Sequence, residues 1–132
     1  GKSRMILLDT CALLWWTVEP EALSFNARKA ADRFPREGCA ISSITIWEIG
    51  IKIKKKKIDI KVTLDEYVKR VIRINYLTII PVDEHIWVRN IMLDWEHRDP
   101  ADRTIVATAL LHDLPIMTKD GLIGSYYSRI IW

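Results

Sequence analysis

Short apolar runs alternate with amphipathic segments along the chain. The runs at residues 5–8, 39–42, 77–82 and 114–118 are typical of strands buried on both faces of a sheet, and residues 128–132 fit a fifth strand. Helical spacing of apolar side chains separates these runs. Strands that alternate with helices predict a parallel sheet covered on both faces. The expected fold class is therefore α/β, a single α/β/α sandwich with a parallel sheet of about four or five strands.

Capping signals predict where the helices begin. The first helix is expected over residues 11–18. Later helices are expected after side chains that accept a backbone N–H, namely Ser24, Ser43, Thr63, Asp83 and Asp99. Pro35 and Gly38 are expected to end the helix that Ser24 begins, and Trp95 is expected to lie on the helix that Asp83 begins.

Composition indicates one ordinary globular domain. The chain has 132 residues, of which 49% are hydrophobic and 28% charged. No apolar run approaches the roughly 18–20 residues that span a bilayer. Two cysteines without metal-binding spacing indicate a reduced protein. We therefore expect a cytoplasmic domain over residues 5–132, preceded at residues 1–4 by a start that is disordered or foreign to the natural chain.

Tryptophan and lysine are distributed unevenly. The chain has six tryptophans, and Trp15, Trp16 and Trp47 are predicted to pack in the core or at an interface with a second copy or a partner protein. A run of lysines ends one predicted helix. That run has two interpretations, a solvated helix end or contacts with the phosphates of a polyanionic substrate. The candidate residues for such contacts are Lys54, Lys55, Lys56 and Lys57.

Carboxylates cluster at the predicted carboxyl ends of the strands, where open α/β sheets bind ligands. Asp9 follows the first strand, Asp120 follows the fourth, and Asp99 and Asp102 occupy the first turn of a helix at the same edge. Each aspartate alone fits a helix cap or a turn. Glu48 lies beside an apolar helix stripe, where capping does not explain it. Such a cluster requires a cation, and oxygen ligands favour Mg²⁺ or Mn²⁺.

Four segments of the chain resemble one family when they are taken in order. They read I-L-L-D-T-C-A-L-L, S-S-I-T-I-W-E-I-G-I-K, H-R-D-P-A-D-R-T-I-V-A-T-A-L and P-I-M-T-K-D. They resemble PIN domains, and more narrowly the VapC-type toxins of toxin–antitoxin pairs. The resemblance implies an endoribonuclease with one or two divalent ions, water attack that leaves 5′-phosphate and 3′-hydroxyl ends, and a VapB-type antitoxin as partner. We also expect a homodimer.

The resemblance also implies roles for individual residues. Matched position by position, the catalytic and metal-binding acids are Asp9, Glu48, Asp102 and Asp120. Asp99 is an additional acid beside this set and a further candidate metal ligand. Thr10 and Thr118 match positions that often carry hydroxyl groups near the metal. With RNA as the substrate, the lysine run becomes a candidate RNA-binding segment. Stacking on RNA bases is then the alternative to core or interface packing for Trp15 and Trp16.

Three other interpretations compete with this one. A phospho-receiver domain requires adjacent acids near the first strand and gives Glu48 no role. A haloacid-dehalogenase-like phosphatase requires D-x-D after the first strand, where this chain has D-T-C. A PIN domain that binds RNA without cleaving it stays as the alternative function.

Overall fold

A five-stranded parallel sheet forms the centre of the computed structural model, which describes residues 5–132. The expectations for residues 1–4 lie outside this range. The strand order is β3-β2-β1-β4-β5. The predicted α/β class, parallel sheet and fifth strand are confirmed. The strands are β1 (Ile6–Leu8), β2 (Cys39–Ser42), β3 (Leu77–Ile80), β4 (Ile116–Met117) and β5 (Ile130–Ile131).

Eight α-helices surround the sheet within residues 5–132. No helix in this range is long and apolar enough to cross a membrane. The helices are α1 (Thr10–Val18), α2 (Phe25–Ala31), α3 (Phe34–Glu37), α4 (Ser43–Lys54), α5 (Leu64–Ile72), α6 (Glu84–Met92), α7 (Pro100–His112) and α8 (Gly121–Tyr126).

Two apolar cores cover the two faces of the sheet. Ile6 and Leu8 of β1 point into one core, which is completed mainly by α1 to α5. Leu7, between them, points into the other core with α6, α7 and α8. Because side chains of a strand alternate between faces, a fully apolar β1 is what a sheet covered on both sides requires.

Two predicted helix boundaries were wrong. Ser42, not Ser43, caps α4, because the Ser42 hydroxyl accepts from the Ile44 N–H while Ser43 Oγ accepts from Val82 N–H beyond β3. Pro35 lies in the first turn of the short helix α3 and does not end α2. A proline is tolerated there because the first turn of a helix needs no N–H from it.

The structure also differs from the prediction at two places, after α6 and after β4. Trp95 lies beyond α6, which ends at Met92. Helix α8 was not predicted, and Asp120 caps it by accepting from the Leu122 N–H at 2.8 Å. This helix is only six residues long, too short for a clear periodic pattern.

The strand order creates a crevice between β1 and β4. The chain runs from β1 through β2 to β3 on one side and then crosses to β4 and β5 on the other. Ligands of open α/β sheets bind at such a reversal, outside the carboxyl ends of the strands. The residues that follow β1 and β4 therefore occupy the natural binding position of this fold.

Candidate active site

A pocket of about 540 Å³ opens at this crevice. All five predicted acids line it, as does Thr10, while Thr118 lies behind it in contact with Asp9. The pocket is lined by Asp9, Thr10, Cys11, Trp15, Glu48, Lys52, Asp99, Asp102, Lys119 and Asp120.

Asp9 is the most buried of these acids. Its Oδ1 accepts from the Ala12 N–H at 2.8 Å, which caps α1, and its Oδ2 accepts from the Thr118 hydroxyl at 2.5 Å. Burial raises the pKa of Asp9 to about 6; the hydrogen bonds oppose the rise, and the carboxylates of Asp102 and Asp120 add to it. A buried carboxylate beside like charges is the expected environment of a group that binds a cation.

Glu48 and Thr10 connect two helices at the edge of the pocket. The Thr10 hydroxyl at the start of α1 donates to Glu48 Oε1 on α4, and Thr45 Oγ1 lies 3.3 Å from the same hydroxyl. Thr10 and Thr45 are buried, whereas Glu48 is half-buried. The Glu48 carboxylate therefore has a fixed hydrogen-bond donor on one side and the pocket on the other.

Asp99 and Asp102 differ in their contacts, although both are at the start of α7. The Asp99 Oδ1 caps the helix by accepting from the Asp102 N–H at 2.8 Å, and Asp99 is exposed. Asp102 Oδ2 lies 2.7 Å from His97 Nε2. Burial raises the pKa of Asp102, as do the nearby Asp99, Asp120 and Glu48 carboxylates, while the His97 contact lowers it. His97 therefore borders the site, in agreement with its position in the sequence.

Arg103 holds the segment that carries His97. Its guanidinium donates to the backbone carbonyls of Trp95 at 2.5 Å, His97 at 3.0 Å and Asn90 at 2.5 Å. Arg103 directly follows Asp102 on α7. One helix turn therefore supplies Asp102, an acid of the pocket, and Arg103, which fixes the segment that carries His97. The sequence reasoning did not single out Arg103.

Four residues of the pocket were not predicted as parts of it, and Cys11, which follows Thr10 on α1, is one of them. Lys52 lies one helical turn after Glu48, so their i, i+4 spacing was the available signal. Lys119 directly precedes Asp120. Trp15 was expected in the core or at an interface, yet it also lines the acid pocket. The predicted RNA-binding lysines, Lys54 to Lys57, are exposed and do not line this pocket.

The donor set suits a hard cation. All five acids offer oxygen ligands, the preference of Mg²⁺ and Mn²⁺. Asp9, Asp99 and Asp120 each use an oxygen as a helix cap, but a carboxylate has about four lone-pair positions, so acceptor capacity is left. Within residues 5–132 no three His, Cys, Asp or Glu side chains converge closely enough to hold one ion as placed. Ligation therefore requires rotation of these side chains toward a shared point.

The acid-lined pocket lies outside the carboxyl ends of the strands, where parallel α/β sheets bind ligands. The model of the PIN domain family matches residues 6–126, and the chain belongs to that family. Ribonuclease VapC22 of Mycobacterium tuberculosis is 25% identical over 122 residues, which cover 92% of this chain and 91% of that protein.

Solved structures share the fold. A toxin–antitoxin complex from Klebsiella pneumoniae matches with a TM-score of 0.66 and 22% identity, over 96% of each chain. FitAcB from Neisseria gonorrhoeae matches with a TM-score of 0.64 and 20% identity, again over 96% of each chain.

Proposed function

We propose that this chain is a cytoplasmic endoribonuclease that depends on Mg²⁺ or Mn²⁺ and acts as the toxin of a toxin–antitoxin pair. One observation carries the proposal: Asp9, Glu48, Asp99, Asp102 and Asp120 line a single pocket at the carboxyl edge of the sheet. The similarity to a protein named a ribonuclease supports the reaction, at 25% identity. The similarity to toxin–antitoxin complexes supports the biological setting.

The side chains of the pocket have different roles in the proposed hydrolysis. A divalent ion held by these carboxylates would activate water for attack near neutral pH and would neutralise charge on the phosphate. Asp9 and Asp120 hold their carboxylates at the ends of β1 and β4, fixed by caps on α1 and α8. Glu48 and Asp102 present carboxylates from α4 and α7 and can take the proton from the attacking water. The water oxygen bonds to phosphorus while the bond from phosphorus to the 3′ oxygen breaks. The released 3′ oxyanion takes a proton from solvent, which leaves 5′-phosphate and 3′-hydroxyl ends.

Cleavage of mixed RNA in Mg²⁺ or Mn²⁺, with and without EDTA, tests this function. We expect fragments only when the metal is present. Asp83→Asn is the control that matches Asp9→Asn, because Asp83 caps α6 just as Asp9 caps α1 but does not line the acid pocket. It should cleave RNA in metal as wild type does. Equal cleavage in EDTA would show that a contaminating metal-independent nuclease, or different chemistry, produces the fragments.

One observation favours the alternative, an RNA-binding PIN domain that does not cleave. Within residues 5–132 the acidic side chains do not converge on one point as placed. The two functions are separated by titrating Mn²⁺ into the protein by calorimetry. Binding of one or two ions together with RNA cleavage supports the enzyme, whereas RNA binding without cleavage supports the scaffold.

We also propose an antitoxin partner and a homodimer. Of the three tryptophans predicted at an interface, Trp47 is 57% exposed, whereas Trp15 and Trp16 are half-buried. Helix α6 has an exposed apolar face that is larger than the exposed surface of Trp47. The sequence reasoning did not predict this face. Trp87, Val88, Ile91 and Met92 are there between 48% and 77% exposed. Contiguous apolar surface of this kind is typical of a protein interface.

We assign the α6 face to the proposed homodimer, and sedimentation tests that assignment. Ile91→Glu should give a species of about 15.4 kDa, where wild type gives about twice that mass. Leu122→Glu is the control, because Leu122 is an exposed apolar residue on α8. A monomeric wild type at micromolar concentrations would remove the homodimer.

A further inference from the structure

One wall of the acid pocket carries an aromatic ring and two cations. Trp15 lines the pocket from α1, one turn after Cys11. Its ring lies 5.5 Å from the ring of Trp132, at an interplanar angle of 48°. Lys119 Nζ lies 6.0 Å from the centroid of the Trp15 ring. Lys52 lines the same pocket from α4.

The position of Trp15 differs from that of its neighbour Trp16. Trp16 packs edge-on against Phe34, with ring centroids 5.1 Å apart, and also contacts Tyr76. These contacts explain Trp16 as a packing residue. Trp15 packs on the core as well, but it also lines the charged pocket, which Trp16 does not.

Among residues 5–132, the two lysines of this wall have no acidic partner within salt-bridge distance. Neither Lys52 nor Lys119 forms a salt bridge within residues 5–132, although five carboxylates line the same pocket. Their ammonium groups are therefore available to an anion that enters the pocket. An aromatic face next to free cations is the combination that binds single-stranded nucleic acid, since bases stack and phosphates pair with ammonium groups.

A second groove continues from this wall. Cys11, Trp15 and Lys52 line both the groove and the acid pocket. The other residues that line the groove are Leu14, Val18, Glu19, Ile58, Asp59 and Ile60. A polynucleotide in the acid pocket therefore has a continuous surface along α1 on which its next nucleotide can lie.

We propose that Trp15, Lys119 and Lys52 form a subsite for the nucleotide next to the scissile phosphate of single-stranded RNA. This inference rests on the proposed ribonuclease function. The base stacks on the Trp15 ring and displaces the Lys119 ammonium, which then pairs with the adjacent phosphate. Paired bases stack on their neighbours and cannot reach the ring, so the subsite selects unpaired RNA.

An abasic substitution in the RNA tests the stacking contact. A short single-stranded RNA with one cleavage position is prepared with a single abasic residue on either side of the cut. At one of these positions we expect wild type to lose about tenfold in kcat/KM, mainly through KM, because the base can no longer stack on the aromatic ring. Trp15→Leu should lose about tenfold on the intact RNA and nothing further on the abasic one.

Trp16→Leu is the matched control, because it removes the neighbouring indole from the same helix. It should keep the full tenfold sensitivity to the abasic residue, and Trp15→Phe should keep part of it. Equal sensitivity of Trp15→Leu and wild type would overturn the subsite. If Trp15→Leu does not fold, the measurements on wild type decide. Equal losses of kcat/KM with an abasic residue at either flanking position, or no loss at either, would reject the subsite.

Salt dependence separates the cation from the ring. Lys119→Met removes one cation that neutralises a phosphate, so the slope of log affinity against log salt should flatten by about 0.7. Trp15→Leu should weaken binding without changing that slope. An unchanged slope in Lys119→Met would remove the lysine from the subsite.

These measurements also distinguish a failed subsite from a failed function. Affinity for the same RNAs is measured by fluorescence anisotropy in EDTA, where no cleavage is expected. If wild type binds with sensitivity to the abasic residue but never cleaves in metal, the ribonuclease function fails and the subsite stands. If wild type cleaves but no flanking base matters, the function stands and the subsite fails.

Discussion

The acid pocket and the lysine run both concentrate charge, but the environments of their side chains in the structure are opposite. The acids are held by specific donors, as Asp9 is by the Thr118 hydroxyl and the Ala12 N–H. The lysines at 54–57 are exposed at the end of α4. There the chain leaves the helix through Lys56, whose φ of 58° is left-handed.

The difference shows which charges require an explanation. An exposed lysine keeps its hydration, so four of them at a helix end stabilise the helix dipole and need no ligand. A buried carboxylate loses hydration, and its raised pKa measures that loss. The Lys57 N–H also bonds to the Lys52 carbonyl at 2.9 Å, a contact that helix ends make without any substrate. Function is therefore better inferred from the acids than from the lysines.

Substitution of the acids should give the largest effect. Asp9→Asn, Glu48→Gln, Asp102→Asn and Asp120→Asn should each lower the cleavage rate at least about a hundredfold, since each removes a charge from the proposed metal site. Cleavage of a fluorescent RNA, with circular dichroism as a check on folding, measures this. Asp83→Asn should keep wild-type activity. Full activity in any two of the four acid variants contradicts the site.

Stability in EDTA should depend on pH through Asp9. Between the usual value near 3.8 and the raised pKa of about 6, folded protein keeps a proton that the unfolded chain has released. The free energy of unfolding therefore falls as pH rises through this window, by up to about 3 kcal/mol from this group. Below pH 3.8 both states are protonated, and the fall is absent.

Urea unfolding of wild type and Asp9→Asn at pH 4, 5, 6 and 7 checks this expectation. Asparagine at position 9 cannot titrate. The free energy of unfolding of Asp9→Asn, relative to that of wild type, should therefore increase with pH. Asp83→Asn should run parallel to wild type, because that carboxylate is exposed. A constant difference between Asp9→Asn and wild type would mean that Asp9 is as well solvated as the exposed acids.

A smaller effect is expected within the pocket, between its two acids on α7. Asp99→Asn should lower cleavage by less than about tenfold, because asparagine still caps the helix and the exposed Asp99 lies outside the four-acid set. Asp102→Asn should cost far more, since Asp102 is half-buried and contacts His97. Parallel kcat and KM measurements on both variants decide the ranking, and equal loss in both would make Asp99 a full member of the site.

The lysine run should give the smallest effect. Changing Lys54, Lys55, Lys56 and Lys57 to Ser should raise KM a few-fold and leave kcat unchanged, because the acid pocket is untouched. The slope of log affinity against log salt should flatten by about 0.7 for each phosphate that the variant no longer neutralises. Replacing Lys29, Lys61, Lys69 and Arg73 by Ser removes the same number of positive charges elsewhere on the surface and is the control for charge alone. Matching slopes in both variants would assign the run to a solvated helix end.

Much of the sheet and part of the pocket could be predicted because they follow from local patterns. Apolar runs locate β1 and β2, and in a parallel sheet the residue after each strand lies at one edge, which brings Asp9 and Asp120 together. Glu48 was recognisable because no local role explains an acid beside an apolar stripe.

The contacts that complete the pocket could not be predicted, since they join distant segments. Thr118 and Asp9 are 109 residues apart in the chain, and their hydrogen bond depends on β1 lying next to β4. Whether Trp15 borders the core or the pocket depends on how α1 is turned against the sheet. Composition alone favoured an interface, and only the fold shows the acid pocket beside that ring.

The helix caps in the pocket have an evolutionary consequence. Asp9, Asp99 and Asp120 each accept a backbone N–H at the start of a helix, a contact that asparagine makes equally well. One nucleotide change converts an aspartate codon into an asparagine codon. A lineage can therefore lose a negative charge of the pocket at any of these positions in a single mutational event while the helix caps are kept. Loss of the charge need not carry a loss of the fold.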